Sequence, residues 1–305
     1  MKNLENLSLE DKIRKLKKLK EERDAVILAH YYVDEEIQAV ADYIGDSFFL
    51  AQKATELKEE TIVMAGVYFM GESVKILNPS KNVLMPDLGA DCPMAHMVSI
   101  EKIKEMRDKY DDLAVVTYIN STAEIKAYSD ICVTSSNAAK IVNKLEEKNI
   151  FFVPDKNLGA YIKKSLPDKN VILNDGYCPV HDEIDIEDVK AYKGKVKILA
   201  HPECRKEVLD LADFIGSTKA IINEAGKYDD VLVVTEEGIF TELKKKYPDV
   251  KFRKLAKGPI CDDMKKLSVD KIIEVLEENK NQVEVPREIR ERALKPLAKM
   301  LELGA

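Results

Sequence analysis

The sequence predicts an α/β protein built from three homologous three-layer αβα domains with small parallel sheets, in a pseudo-threefold arrangement around a central active site. Three observations predict it. A 22-residue outline, VILAHYYVDEEIQAVADYIGDS from Val26 to Ser47, returns as AVVTYINSTAEIKAYSDICVTS from Ala114 to Ser135 and as KILAHPECRKEVLDLADFIGST from Lys197 to Thr218. The polar residues closing the apolar runs keep register: His30, Tyr118 and His201 lie 88 and 83 apart, and so do Ser47, Ser135 and Thr218. Cys92, Cys178 and Cys261 follow the same beat, at 86 and 83. Short apolar runs alternating with amphipathic segments at this spacing indicate βαβ units and parallel sheets.

Taken in order, SLEDKIRKLKKLKEER from Ser8 to Arg23 reads as a helix with a capping signature at Ser8 and Asp11. Val26 to Ala29 is a run of strand length, and a helix is expected near Asp34 to Tyr43. A further helix should begin at Ser47 and run through LAQKATELK, placing the serine hydroxyl at its positive end. TIVMAG from Thr61 to Gly66 is a buried strand, and the helix that follows to Ile76 is stopped by Asn78-Pro79. NVLMPDLGADCPMAHM is then a strand leading into the loop that carries Cys92. The later copies repeat this syntax, with Pro167 and Pro248 taking the part of Pro79. Closing helices start at Ser268 and after Pro286, and QVEVP between them is a candidate strand rejoining a sheet. These elements are expected to pack on the first domain, giving domains 1–88 with 265–305, 89–175 and 176–264. No long linker separates them, so one rigid body is expected.

Composition narrows the function. The chain has 305 residues, of which 45% are hydrophobic, ample for a core. No apolar run approaches the ~18 residues that cross a bilayer, and MKNLENLSLEDK has charges where a signal peptide is apolar, so a cytoplasmic protein with no membrane partner is expected. A net charge of −7 without a dense basic run argues against nucleic acid and in favour of small ligands. Five scattered cysteines without an export signal argue against structural disulfides and raise metal-binding or reactive roles. Abundant Lys and Glu with no Trp are compatible with a heat-adapted source.

Ligands of open α/β sheets sit at the C-terminal ends of strands, near helix N-termini. His30, Tyr118 and His201 fall at such ends. Ser47, Ser135 and Thr218 open helices there, and Tyr32, Asn120 and Glu203, two residues beyond the strand ends, should face the same centre. Each hydroxyl taken alone is an ordinary N-cap; the shared register makes the set a candidate anion site. No G-x-G-x-x-G, P-loop or H-E-x-x-H pattern is present. Three phased thiolates from three segments cannot form a zinc finger or a ferredoxin run, whose ligands are local. They suit a [4Fe–4S] cluster with one iron left open as a Lewis acid, although periodicity alone does not name the metal. In a rival arrangement His181 joins the cysteines around zinc. Glu203 is a candidate acid or base, Cys132 inside ICV reads as core, and Cys204 in HPEC reads as an accessory thiol.

The motifs ILAHYY, ADYIGDS, VKILNP, DCPMA, YINSTAEIKAYSD, TSSNA, VPDKNLG, GYCPVH, HPEC, GST and ICDDMKK together resemble the quinolinate synthase family over essentially the whole chain. The resemblance implies three α/β domains around a [4Fe–4S] cluster bound by Cys92, Cys178 and Cys261. It implies a transferase that condenses iminosuccinate with dihydroxyacetone phosphate to quinolinate, releasing phosphate and water, in NAD biosynthesis. Iminosuccinate would come from an aspartate-oxidising or aspartate dehydrogenase enzyme. Carried over by position, His30, Ser47, Tyr118, Ile119, Asn120, Ser135, His201, Pro202, Glu203, Ser217 and Thr218 would hold substrate. Tyr32 and Glu203 would move protons, with His181 assisting. Val33, His96 and the segment EEGIFTEL depart from common family residues. Two other classes stay open on the residues alone. One is an electron carrier or metal store, which ordinarily has four cluster ligands. The other is a non-catalytic anion-binding module, which leaves the phased cysteines without a role.

Overall fold

A computed structural model describes residue 4 and residues 7–304; residues 1–3 and 5–6, within the charged N-terminal stretch read above, lie outside them. The described residues form three parallel sheets of four strands. The first contains β1 (Ala25–His30), β2 (Tyr43–Gly45), β3 (Thr61–Ala65) and β4 (Asn82–Leu84), in the order β2-β1-β3-β4. The second contains β5 (Leu113–Tyr118), β6 (Ile131–Val133), β7 (Asn149–Val153) and β8 (Asn170–Leu173), in the order β6-β5-β7-β8. The third contains β9 (Lys197–Ala200), β10 (Phe214–Ile215), β11 (Asp230–Val234) and β12 (Lys251–Arg253), in the order β10-β9-β11-β12. The α/β class and the three small parallel sheets expected from the repeat are therefore present. The chain divides into two compact units: Met1–Cys92 with Asp262–Glu291 holds the first sheet, and Pro93–Cys261 with Arg292–Ala305 holds the other two.

The central strands explain the unbroken apolar runs. Every residue of AVILAH in β1 and of LAVVTY in β5 is buried, as befits parallel strands covered on both faces. Around the second sheet, Val115, Phe151 and Val153 pack against Ile103 and Met106 of the helix Ile100–Lys109. Around the third, Ile198, Leu232 and Val234 pack with Val208, Leu209 and Cys204. Each fully buried Ile, Leu or Val of these layers contributes about 1.5–3 kcal/mol. The edge strands β2 and β10 are only 3 and 2 residues long, which limits the exposed ladder.

One polar device recurs in all three sheets. Ile27, Val115 and Ile198 donate their backbone N–H groups to Oδ2 of Asp42, Asp130 and Asp213, at 2.8, 2.7 and 2.9 Å. Each aspartate returns its own N–H to the carbonyl of the same strand residue, at 2.9, 3.0 and 2.8 Å. The three aspartates are 88 and 83 apart, in phase with the repeat. Each closed pair of bonds ties the chain entering the edge strand to the central strand, and Lys20, Arg107 and Lys197 offset the carboxylate charge.

Several boundaries differ from expectation. The segment from Asp34 to Tyr43 is not one helix: the helix is Glu35–Val40, and the chain then extends into β2. The helices Ser47–Glu56 and Thr218–Ala225 do begin at the expected residues, but their caps are Asp46, accepting from Phe49 N at 2.9 Å, and Ser217, accepting from Ala220 N at 3.3 Å. Ser135 opens no helix. It lies in a turn closed by Thr134 N–H donating to Asn137 Oδ1 at 2.7 Å, and the helix starts at Ala138. The stretch QVEVP rejoins the first sheet through a single antiparallel bridge, Gln282 with Leu84. Left-handed backbone at Asn279 and Asn281 turns the chain into that bridge. The first helix, Leu9–Arg23, is capped by Ser8 as read. It is joined to the helix Val269–Glu278 by ion pairs Lys12–Asp270 at 2.7 Å and Lys15–Glu277 at 2.6 Å. No helix among the described residues is long and apolar enough to cross a membrane.

The cysteines separate by burial. Cys132 in β6 is fully buried, and that burial pushes its thiol pKa up to about 12. Cys204 is not the accessory thiol expected from sequence: it is a core residue, its Sγ 3.7 Å from the Val234 carbonyl, and burial raises its pKa even more strongly. Cys92, Cys178 and Cys261 are each partly exposed.

Two outcomes are expected. Asp130→Ala leaves the Val115 N–H without its acceptor, so urea unfolding should show a loss of about 1–3 kcal/mol, whereas an unchanged midpoint would remove the device from the stability of the second sheet. With a thiol-alkylating reagent at pH 8 under reducing, metal-free conditions, Cys132 and Cys204 should remain unlabelled by mass spectrometry until denaturant is added, because a raised pKa leaves almost no thiolate there.

Candidate active site

Parallel strands end on one edge of each sheet, and the candidate residues fall on those edges. His30 closes β1, Tyr118 closes β5, and His201 directly follows β9. In the first and third repeats the next turn is built alike: Tyr32 N–H donates to His30 Nδ1 at 3.2 Å, and Glu203 N–H donates to His201 Nδ1 at 3.4 Å. An accepting Nδ1 places the proton of a neutral imidazole on Nε2, leaving that nitrogen as a hydrogen-bond donor. The Tyr32 ring stands edge-on to His30, with centroids 4.6 Å apart. Lys265 donates to the Tyr32 carbonyl at 2.9 Å and pairs with Asp34 at 3.0 Å, which holds this loop.

Two buried polar residues that sequence reading passed over fix these loops. Gln38 Nε2 donates to the carbonyls of Tyr31 and Val33, both at 3.0 Å, and Lys126 Nζ donates to the Ser121 carbonyl at 2.6 Å. Each stands eight residues after the strand-end His30 or Tyr118; the third repeat has the buried Leu209 at that register. Ser121 Oγ in turn donates to the Tyr118 carbonyl at 3.0 Å.

The second compact unit brings several candidates into one buried cluster. His181 Nδ1 lies 2.8 Å from Glu203 Oε2 and 3.2 Å from Cys178 Sγ, while its Nε2 lies 2.9 Å from Thr235 Oγ1. His201 stacks on His181 with centroids 4.8 Å apart. Its Nδ1 is 3.5 Å from Glu203 Oε2, too long for a well-formed hydrogen bond. The Tyr118 hydroxyl donates to Glu203 as well. Burial alone would raise the Glu203 pKa, but its electrostatic interactions with His201 and His181 and the hydrogen bonds from His181 and Tyr118 together outweigh it and hold the carboxyl low. Neighbouring Asp155 behaves oppositely: burial first, and then the Glu203 charge, raise its pKa well above the ordinary carboxylate range. Asn157 Nδ2 donates to the Glu203 carbonyl at 3.0 Å and anchors its backbone.

Two oxygens at the strand ends, Asn120 Oδ1 and Glu203 Oε1, are buried without a hydrogen-bond partner. Ile119 is buried and held through its N–H on the Val133 carbonyl at 2.8 Å, and Pro202 is buried beside Glu203. Ser47 and Thr218 are the first residues of their helices, Ser217 caps the latter, and Ser135 stays in its half-buried turn. His30, Tyr32, Ser47 and Cys92 belong to the first compact unit; Tyr118, Asn120, Ser135, Cys178, His181, His201, Glu203, Thr218 and Cys261 belong to the second.

The three phased cysteines sit in loops built on one plan. The N–H of Tyr68 donates to the carbonyl of Ala90 at 2.8 Å, that of Lys156 to Gly176 at 2.7 Å, and that of Glu237 to Pro259 at 3.0 Å. Each acceptor lies two residues before a cysteine, and each donor three residues after the end of β3, β7 or β11. Each compact unit thus presents soft sulfur donors from loops pinned to strand ends, a donor chemistry suited to iron–sulfur or zinc binding. A smaller set, Cys178, His181 and Glu203, has ligand atoms within 4.8 Å of one another.

Comparison with known proteins accords with this geometry. The family model described as Quinolinate synthetase A protein matches residues 14–302. A quinolinate synthase of Fusobacterium nucleatum is 58% identical over 294 residues, covering 95% of this chain and 98% of that protein. Quinolinate synthases of Caldicellulosiruptor bescii and Pyrococcus abyssi are 47% and 46% identical, covering 94% and 96% of this chain and 96% and 100% of their own. A match of this extent across both compact units, carrying all three phased cysteines within it, makes the chain a member of the quinolinate synthetase A family.

Proposed function

We propose that this enzyme condenses iminosuccinate with dihydroxyacetone phosphate to quinolinate, releasing phosphate and water, as a cytoplasmic transferase of NAD biosynthesis. Its iminosuccinate would be supplied by an aspartate-oxidising or aspartate dehydrogenase enzyme. Cys92, Cys178 and Cys261 would hold a [4Fe–4S] cluster, and the three repeats, 1–88 with 265–305, 89–175 and 176–264, would be the domains that deliver them. The observation that carries this reading is the common construction of the three cysteine loops, while the remaining two cysteines are sealed in cores. When bound, a cluster with three thiolate ligands supplies a Lewis-acidic iron that polarises a hydroxyl or carboxylate.

The chain's own side chains account for the rest of the chemistry. Both substrates are anionic. The helix starts at Ser47–Glu56 and Thr218–Ala225, with their positive ends and hydroxyls, suit phosphate and carboxylate oxygens, and Ser135 and Ser217 would add hydroxyls to the same task. His30 and His201 donate through Nε2 to substrate oxygen. Asn120 Oδ1 and Glu203 Oε1, buried and unpartnered, accept hydrogen bonds from substrate hydroxyl or N–H groups. Tyr118, Ile119 and Pro202 wall the strand ends. Glu203, held by His181, and Tyr32 would move protons during condensation.

A mononuclear metal at Cys178, His181 and Glu203 is the second reading, favoured by their proximity. Against it, His181 already bonds Glu203 at 2.8 Å and Thr235 at 2.9 Å, so both ring nitrogens are engaged in a hydrogen-bond network.

The chain purified without oxygen should contain iron and acid-labile sulfide and form quinolinate from the two substrates; zinc without sulfide would overturn the cluster assignment. Cys92→Ser, Cys178→Ser and Cys261→Ser should each lose the cluster while Cys132→Ser keeps it, and normal iron content in any of the first three would remove that ligand. Glu203→Gln should retain iron and sulfide yet lose turnover by roughly 10²–10⁴-fold; full activity would exclude Glu203 as the base.

A further inference from the structure

The residue two beyond the end of the third strand in each repeat is Val67 after β3, Asp155 after β7 and Glu236 after β11. Asp155 and Glu236 are fully buried carboxyl side chains, an expensive choice unless their oxygens are used. Asp155 Oδ1 accepts from Leu158 N–H at 2.7 Å, its backbone pairs with Gly176 as a parallel bridge, and the N–H groups of Asn157 and Cys178 face its carboxyl, whose Oδ2 has no hydrogen-bond partner. Glu236 Oε2 accepts from Gly238 N–H at 2.6 Å, and its Oε1 accepts from Cys261 N–H at 3.3 Å. In the third repeat the carboxylate binds the amide of the cysteine itself, and in the second the Asp155 carboxyl faces the Cys178 amide across the bridge to Gly176. The residue after each carboxylate, Lys156 or Glu237, donates to the carbonyl two before that cysteine. The approach in the second repeat is close enough to require glycine: a Cβ on Gly176 would lie 2.5 Å from the Pro154 carbonyl oxygen. In the first repeat Val67 offers no acceptor, and Cys92 N–H turns instead to Asp91 Oδ1 at 2.8 Å.

We infer that Asp155 and Glu236 are positioning residues that fix the backbone of Cys178 and Cys261 in the conformation used for metal ligation. The inference rests on reading those cysteines as cluster ligands. Each acts through the peptide of a ligand and not as a ligand itself. A side chain that orients a ligand raises metal retention without itself ligating.

The test uses the full chain with Asp155→Ala and Glu236→Ala, reconstituted anaerobically with iron and sulfide and then challenged with an excess of an iron chelator. Each variant should bind the cluster but release iron roughly 10-fold or more faster than the unmodified chain. The thermal midpoint of the metal-free protein supplies the folding control. Amide hydrogen exchange in the metal-free chain should accelerate at Cys261 in the Glu236 variant and at Cys178 in the Asp155 variant. Release rates and exchange equal to those of the unmodified chain would overturn the inference. If the alanine variants do not fold, Asp155→Asn and Glu236→Gln, which keep volume and lose an acceptor oxygen, decide on the same readings. If the unmodified chain takes up no iron and sulfide, the ligand assignment fails, and the exchange measurement still decides whether the carboxylates hold the two loops.

Discussion

Parallel pairing within each sheet is the constraint from which the site follows. Because β1, β3 and β4 run the same way, the loops leaving all three emerge on one edge, and the same holds for the sheets built on β5 and β9. The strand-end His or Tyr, the turn after the third strand and the cysteine loop after the fourth are therefore neighbours in each repeat, although up to about 60 residues of chain separate them. The backbone bonds from Tyr68, Lys156 and Glu237 to the cysteine loops are a direct consequence. An antiparallel sheet would have sent alternate loops to the opposite edge and kept these groups apart.

That edge concentrates charge, and the second compact unit shows how it is tolerated. Glu203 is stabilised as an anion by His181, His201 and Tyr118, three groups delivered by different elements of the same unit. Asp155, close by and equally buried, cannot share the negative charge and is pushed toward the neutral acid. Two neighbouring carboxyl groups with opposed shifts are a recurrent way to obtain one base without electrostatic collapse of the site. Cost is limited further by backbone donors: Leu158, Asn157 and Cys178 all turn N–H groups toward Asp155.

Much of this was legible in the sequence, for a physical reason. A strand covered on both faces must be apolar throughout, so AVILAH and LAVVTY announced β1 and β5, and the groups at their ends fell at a countable offset. The phased cysteines were found the same way. What stayed hidden depends on which atoms a side chain reaches. Asp46 and Ser217 carry the helix caps attributed to the hydroxyl residues that follow them, because a one-residue shift in cap position leaves the sequence pattern unchanged. Cys204 sits beside Glu203 in sequence yet points into the core, since the turn that carries both directs Cys204 Sγ toward the Val234 carbonyl and Glu203 toward His181. Lys126 reads as a solvated residue of an amphipathic helix and is fully buried on a carbonyl. A count of offsets from the third strand would have exposed Asp155 and Glu236 as a pair, because β7 and β11 end equally far before them.

The three repeats also show which features of the plan are free to vary. The aspartate that clasps the first strand is present in all three, and so is the backbone bond to the cysteine loop; both satisfy main-chain groups wherever the fold is used. Side chains at equal register have diverged instead. Eight residues beyond the first strand stand Gln38, Lys126 and Leu209, and two beyond the third stand Val67, Asp155 and Glu236. The loop that dispenses with a polar tie at Leu209 is the one whose backbone is anchored from a helix of the neighbouring repeat, by Asn157 on the Glu203 carbonyl. The loop without a carboxylate at Val67 satisfies its cysteine amide from the adjacent Asp91. Each missing tie is thus matched by a different donor or acceptor on the backbone of the same loop, as expected if an unsatisfied buried amide or carbonyl is what the fold cannot accept. Backbone satisfaction holds the repeat constant, and its side chains are then available to specialise: an aromatic and imidazole edge at His30 and Tyr32, and an anionic, proton-accepting one around Glu203.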